Sequence, residues 1–187
     1  VVDAVLSGGS FEEPGMDVQE REVSVMFTDI VGFTTVAEAM TPAAVAAYLN
    51  GFFSAVTDVV FKHQGMIDKF IGDAVMVVFG APLAQEDHAH RAVCAAEDIM
   101  AAIADLNARR PDMPPLRVRM AINSGDAIVG DVGSGKRLEY TVLGDVVNTA
   151  SRMESGVAKP GQIVISRATL DRLPGAIATV PLGALQL

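Results

Sequence analysis

The stretch MIDKFIGDAVMVVFG, residues 66–80, constrains the fold of this chain more than any other. Its two short apolar runs flank a turn, which makes it a hairpin with Asp73 at the tip. Helical periodicity lies on both sides of it. Thr41 is a good N-cap with Pro42 behind it, and Val45, Tyr48, Leu49, Phe52, Phe53 and Val56 keep one apolar face until about His63, where Gly65 stops the helix. Asp87 can cap a second long helix, with Val93, Ala96, Met100, Ile103 and Leu106 on its apolar face. Before the first helix, EVSVMFTDI (residues 22–30) reads as a buried strand. After the second come LRVRMAINSG, AIVGDV and RLEYTVLG as strands, a helix capped by Asp145 and ending near Gly156, the strand GQIVIS and a helical turn at RATLDRL. Strands that return beside one another with helices between them predict a split βαβ, ferredoxin-like α+β fold, its mainly antiparallel sheet covered by helices.

One glycine-rich segment invites a different reading. In GDVGSGKRLEY, residues 130–140, Gly130, Gly135 and Lys136 match the start of a phosphate-binding P-loop, but Arg137 stands where Ser or Thr would reach a magnesium ion. Strands on both sides make GSGK a hairpin turn instead. A formal charge of −9 and a pI near 4.7 exclude a footprint for long nucleic acids, while a small triphosphate held by metal ions stays compatible. Cys94 is the single cysteine, so no internal disulfide can form and a reducing compartment is expected. No apolar run is read as a membrane span, and the chain is expected to be soluble. Both ends look cut: residues 1–20 read as a flanking linker and 21–187 as one domain taken from a longer protein.

Asp29 ends the first strand and Asp73 tips the hairpin. If the strands are neighbours, the carboxylates converge as hard oxygen ligands for two magnesium ions acting on phosphates; otherwise they are turn or cap residues. Gly32, in the loop IVGFTT, offers free backbone N–H groups that suit phosphate oxygens. Asn148 and Arg152, four apart, share a helix face, either aimed at a substrate or simply solvated. His88 and His90, two apart, point in different directions and, with His63 distant, read as structural rather than zinc-binding. Cys94 and the nine methionines read as packing.

Taken together, VSVMFTDIVGFTT, MIDKFIGDAVMVVFG, EDHAHRAV, VRMAINSGDAIVGDVGSGKRLEYTVLGDVVNTASRME and PGQIVIS closely resemble the catalytic domain of class III adenylate/guanylate cyclases over about residues 22–170. The resemblance implies the class III nucleotidyl cyclase fold and assigns roles position by position. Asp29, Asp73 and the Ile30 carbonyl match the ligands of two Mg2+ or Mn2+ ions. Gly32 and the backbone of Phe33 and Thr34 match the phosphate-holding loop, and Arg119 matches an arginine that reaches the triphosphate. Asn148 matches the residue that positions the ribose, and Arg152 the one that stabilises charge at the α-phosphate. Lys69 and Thr141 match the two base-reading positions. An ammonium donor and a hydroxyl acceptor complement adenine, whereas guanylate members carry an acidic residue where Lys69 stands. The implied substrate is therefore ATP.

The family's active sites form between two chains, so a homodimer is implied, one chain giving the aspartates and Arg119 and its partner the base readers, Asn148 and Arg152. Thr141 resembles a subgroup of which some members respond to bicarbonate. The family's phosphate-binding lysine would fall beyond LGALQL, implying a catalytic domain truncated at its C-terminus, and regulation would come from other domains of the parent chain. A cytoplasmic location follows from the resemblance. Rival readings are a guanylate cyclase and a catalytically silent nucleotide-binding or dimerisation module. A phosphoaspartate receiver does not fit the two hairpins, nor a palm-type polymerase the acidic balance.

Overall fold

In the computed structural model, residues 18–134, 137–175 and 177–184 are described. The aperiodic N-terminal stretch, and Gly135 and Lys136 of the glycine-rich turn, lie outside them. The elements are β1 (Gln19–Ile30), α1 (Phe33–Glu38), α2 (Pro42–Lys62), β2 (Met66–Ile71), β3 (Ala74–Phe79), α3 (His88–Arg109), β4 (Val118–Ser134), β5 (Arg137–Leu143), α4 (Asp145–Gly156), β6 (Ile163–Ile165) and α5 (Arg167–Leu170). The sheet runs β2-β3-β1-β4-β5, all antiparallel, with β6 added parallel to β4. This is the split βαβ arrangement: β1, α2 and β2 form the first unit with β3 inserted between its strands, and α3 carries the chain across to β4.

The middle of β1 is buried on both faces, as its unbroken apolar run requires. Met26 and Ile30 face one core with Phe52, Val56 and Val60 of α2 and Ile99 and Ile103 of α3. Val23, Val25 and Phe27 face the other, where Val146 and Ala150 of α4 pack with Met76, Val78 and Val129. Three layers result: two long helices, the sheet, and α4.

Several boundaries differ from the sequence reading. LRVRMAINSG and AIVGDV are not two strands but one, because pairing with β1 runs unbroken from Gln19↔Val129 to Ile30↔Val118 and carries the chain straight through Gly125. The loop after Asp29 winds into α1, which begins at Phe33 after Gly32 takes a left-handed φ of 73°. Thr41 does cap α2, accepting from Ala44 N at 3.3 Å. Asp87 occupies the cap position of α3, yet its carboxylate accepts instead from Arg91 Nε at 2.6 Å. Asp145 is the first residue of α4, with Gly144 at the cap. Helix α2 is, by length and composition alone, apolar enough to cross a membrane, contrary to the expectation of no such run. Its Tyr48, Phe52, Val56, Val59 and Val60 are nevertheless spent on the core.

Candidate active site

Antiparallel register explains why the two aspartates meet. Thr28 pairs with Val75, so the end of β1 lies beside the turn that begins β3, and Asp29 and Asp73 share one sheet edge. Burial, and then the neighbouring Asp29 carboxylate, push the Asp73 carboxyl up to about 6. Asp29 also pairs in register with Arg119 of β4, whose Nη2 donates to Asp29 Oδ2 at 2.9 Å. The same guanidinium meets Glu154 of α4, Nε to Oε1, at 2.5 Å in an ion pair that lacks hydrogen-bond alignment. Burial raises the Glu154 pKa, with Asp29 adding to it, and the two carboxylates keep the Arg119 pKa raised although its own burial acts the other way. Glu154 was not singled out from the sequence. Its signal was its place four residues after Ala150 on the buried face of α4, where an acid needs a cation.

Two converging carboxylates at an incompletely buried edge are a donor set of hard oxygens. They would fit a divalent cation, which would offset the burial and mutual repulsion that raise Asp73, beside the positive charge of Arg119. Gly32, Phe33 and Thr34 follow directly after Asp29, Ile30 and Val31. The structure brings Asp29, Asp73 and Arg119 together, and places Gly32, Phe33 and Thr34 at the start of α1, just after the end of β1. Among the described residues no cluster of three or more His, Cys, Asp or Glu side chains is arranged to hold a metal.

A second polar group forms where sequence distance gives no hint of it. β2 and β5 lie at opposite ends of the sheet order, yet Lys69 Nζ donates to Thr141 Oγ1 at 3.2 Å. Thr141 is buried and donates its own hydrogen to Asp68 Oδ1 at 2.8 Å, while Asp68 Oδ2 lies 3.1 Å from Lys69 Nζ. Asp68 was also missed. An acid inside an apolar strand was the available signal.

Asn148 and Arg152 share the exposed side of α4, and among the described residues no hydrogen bond or ion pair links them to Asp29 or Asp73. The same helix thus turns Glu154 inward to Arg119 and these two outward. His88 is buried against Ser24, with Nδ1 and Oγ 2.8 Å apart, and His63 meets Asp98 at 2.8 Å. Cys94 is half-buried beside His90 rather than in the core.

Comparison with known proteins agrees with this architecture. The family profile described as adenylate and guanylate cyclase catalytic domain matches residues 17–186. "Adenylate cyclase 1" of Rhizobium meliloti (strain 1021) is 37% identical over 172 residues, 90% of this chain but 26% of the relative. The chain therefore spans about a quarter of that relative's length. Among solved structures, the guanylyl cyclase Cya2 is 35% identical with a TM-score of 0.81 over 89% of this chain and 88% of that one. The adenylyl cyclase CyaB from P. aeruginosa is also 35% identical, with a TM-score of 0.80 over 84% and 82%. Both kinds of cyclase thus share the sheet that sets Asp29 beside Asp73, and this chain belongs to the adenylate and guanylate cyclase catalytic-domain family.

Proposed function

We propose that this chain is an adenylate cyclase catalytic domain that converts ATP to 3',5'-cyclic AMP and pyrophosphate in a homodimer with shared sites. The observation that carries the choice of nucleotide is the Lys69–Thr141 pair at 3.2 Å, an ammonium beside a hydroxyl. Adenine offers an acceptor at N1 and a donor at N6, whereas guanine reverses both on the same edge. An ammonium can only donate, so it opposes the guanine N1–H.

In the proposed reaction the ribose 3'-oxygen attacks the α-phosphorus of the same molecule, the bond from that phosphorus to the bridging oxygen breaks, and pyrophosphate leaves. The 3'-hydroxyl proton passes to solvent. Divalent cations held by Asp29, Asp73 and the Ile30 carbonyl would lower the pKa of that hydroxyl and neutralise the triphosphate. Arg119 is held by Asp29 and Glu154, and would bind the triphosphate. Gly32, Phe33 and Thr34 would direct backbone N–H groups at phosphate oxygens. Asn148 would orient the ribose, and Arg152 would stabilise charge as it builds at the α-phosphate. Since nucleophile and electrophile belong to one substrate, orientation and charge stabilisation are what the protein contributes. The exposure of Asn148 and Arg152 supports a site completed by a second copy. Mg2+ and Mn2+ both suit the donor set, and activation by bicarbonate, regulation by further domains of the parent protein and a cytoplasmic location remain parts of the proposal.

The test is product formation from ATP and from GTP, each with Mg2+ or Mn2+, beside Asp29→Ala. Cyclic AMP formed from ATP and reduced more than about 100-fold in the variant is the expected result. Cyclic GMP as the main product would establish a guanylate cyclase instead, and absence of both products would favour a silent binding module.

A further inference from the structure

The backbone of β2 carries an irregularity at the residue the base-reading scheme leaves out. Ile67 pairs with Val77 but Lys69 pairs with Met76, so Asp68 is an extra residue opposite none, a β-bulge. In a regular strand Asp68 and Lys69 would point to opposite faces. The bulge lets both reach Thr141, at 2.8 Å and 3.2 Å, and moves Phe70 to the α2 side, where its ring meets Phe53 at 4.5 Å.

The chemistry of the three groups fixes their hydrogen bonds. A carboxylate only accepts and an ammonium only donates, so the single hydroxyl hydrogen of Thr141 goes to Asp68 while one of its lone pairs receives Lys69. What remains for a ligand is one lone pair on Thr141 and the N–H groups of Lys69 not spent on Thr141, while Asp68 Oδ2, 3.1 Å from Nζ, pairs with that ammonium by charge without hydrogen-bond alignment. The Asp68 side chain has no solvent exposure, so water does not compete for that hydrogen.

We infer that Asp68 is a positioning residue for base selectivity: by holding the Thr141 hydroxyl hydrogen it leaves that oxygen an acceptor toward the nucleotide, favouring a 6-amino over a 6-oxo purine. This rests on Lys69 and Thr141 being the base readers. A free threonine hydroxyl can rotate and donate to a 6-oxo group. With Asp68 in place it cannot.

The test is the ratio of kcat/KM for ATP and GTP in Asp68→Asn, with competitive equilibrium binding of the two nucleotides as a second readout. The amide can donate to the Thr141 oxygen and release the hydroxyl hydrogen, so the ratio is expected to fall about tenfold or more, chiefly through KM. Thr141→Val should also lower the ratio, and adding Asp68→Asn to Thr141→Val should change it no further, a dependence that a purely structural acid would not show. Thermal melting reports folding. Should Asp68→Asn not fold, Asp68→Thr keeps strand preference while removing the obligate acceptor, with the same expectation. A ratio unchanged in the Asp68 variants while Thr141→Val shifts it overturns this inference alone. A ratio indifferent to both Thr141→Val and Lys69→Glu overturns the base reading, and the inference with it.

Discussion

Single residues in this domain are set by what their neighbours leave them to do, and His88 shows it away from the site. The imidazole is buried between Ser24 Oγ, 2.8 Å from Nδ1, and Glu22 Oε2, 3.7 Å from Nε2. Burial lowers its pKa below the usual value, and Arg172 acts the same way, although Glu22 and Asp87 oppose them. The folded protein thus holds His88 neutral where an unfolded chain would protonate it. Stability should be complete above pH of about 6.5 and decline as pH falls below it, by at most about 1.4 kcal/mol per pH unit for one proton. Denaturant unfolding between pH 7 and 5 measures this, and His88→Gln should flatten the slope. Glu22 responds in a lower window, because Arg172 holds its carboxyl below the ordinary value and that contribution is lost only as pH falls through the carboxylate range. Glu22 is largely exposed, so solvent screens it.

Elements meet under tighter limits than their own periodicity states. α2 ends at Lys62, and the residue that takes the left-handed conformation after it is Gln64, at φ 59°, not Gly65. Gly65 is small for another reason: a Cβ there would lie 2.6 Å from Phe79 Cε1 and 2.9 Å from Val60 Cγ1. Phe79 and Val60 are both fully buried, so neither can yield cheaply. Gly65→Ala is therefore expected to destabilise the fold by about 1–3 kcal/mol, read as a lower denaturation midpoint at unchanged m-value. An unchanged midpoint would show that the junction of α2 and β2 is loosely packed. The bulge at Asp68 belongs to this scale too. Strand β2 carries Asp68 and Lys69 between apolar residues, and the register shift at Asp68 redirects Lys69.

For the whole molecule, the division of labour between α4 and the sheet edge makes a quantitative prediction. If each site takes Asp29 and Asp73 from one chain and Asn148 and Arg152 from its partner, Asp29→Ala and Arg152→Ala each disable both sites of their own homodimer. A mixed dimer recovers one intact site. With random exchange, half of the dimers are mixed and one of their two sites works, so an equal mixture should regain roughly a quarter of unmodified activity. The check is an activity titration of one variant into the other. Activity that stays at the level of the separate variants would place all four residues in one chain's site.

How much of this was open to the sequence depends on the range of the interaction concerned. Local signals were sufficient for the long helices α2 and α3, the β2–β3 hairpin and the Thr41 cap, though not for the short α1, because periodicity, turn residues and cap hydrogen bonds act within a few positions. They also rejected a P-loop at Gly130. The split βαβ order followed from the succession of elements, and the site residues were named through family resemblance. What the sequence could not show was non-local: β4 running unbroken through Gly125 because β1 pairs along it, Glu154 turned onto Arg119, and Asp68 closing on Thr141 across opposite edges of the sheet. The apolar pattern determined which elements form and which faces are buried, since it is written residue by residue. Which distant charges meet was decided by tertiary structure, since strand register sets Asp29 opposite Arg119 and the packing of α2 on α3 sets His63 beside Asp98, groups that the chain separates by 90 and 35 positions.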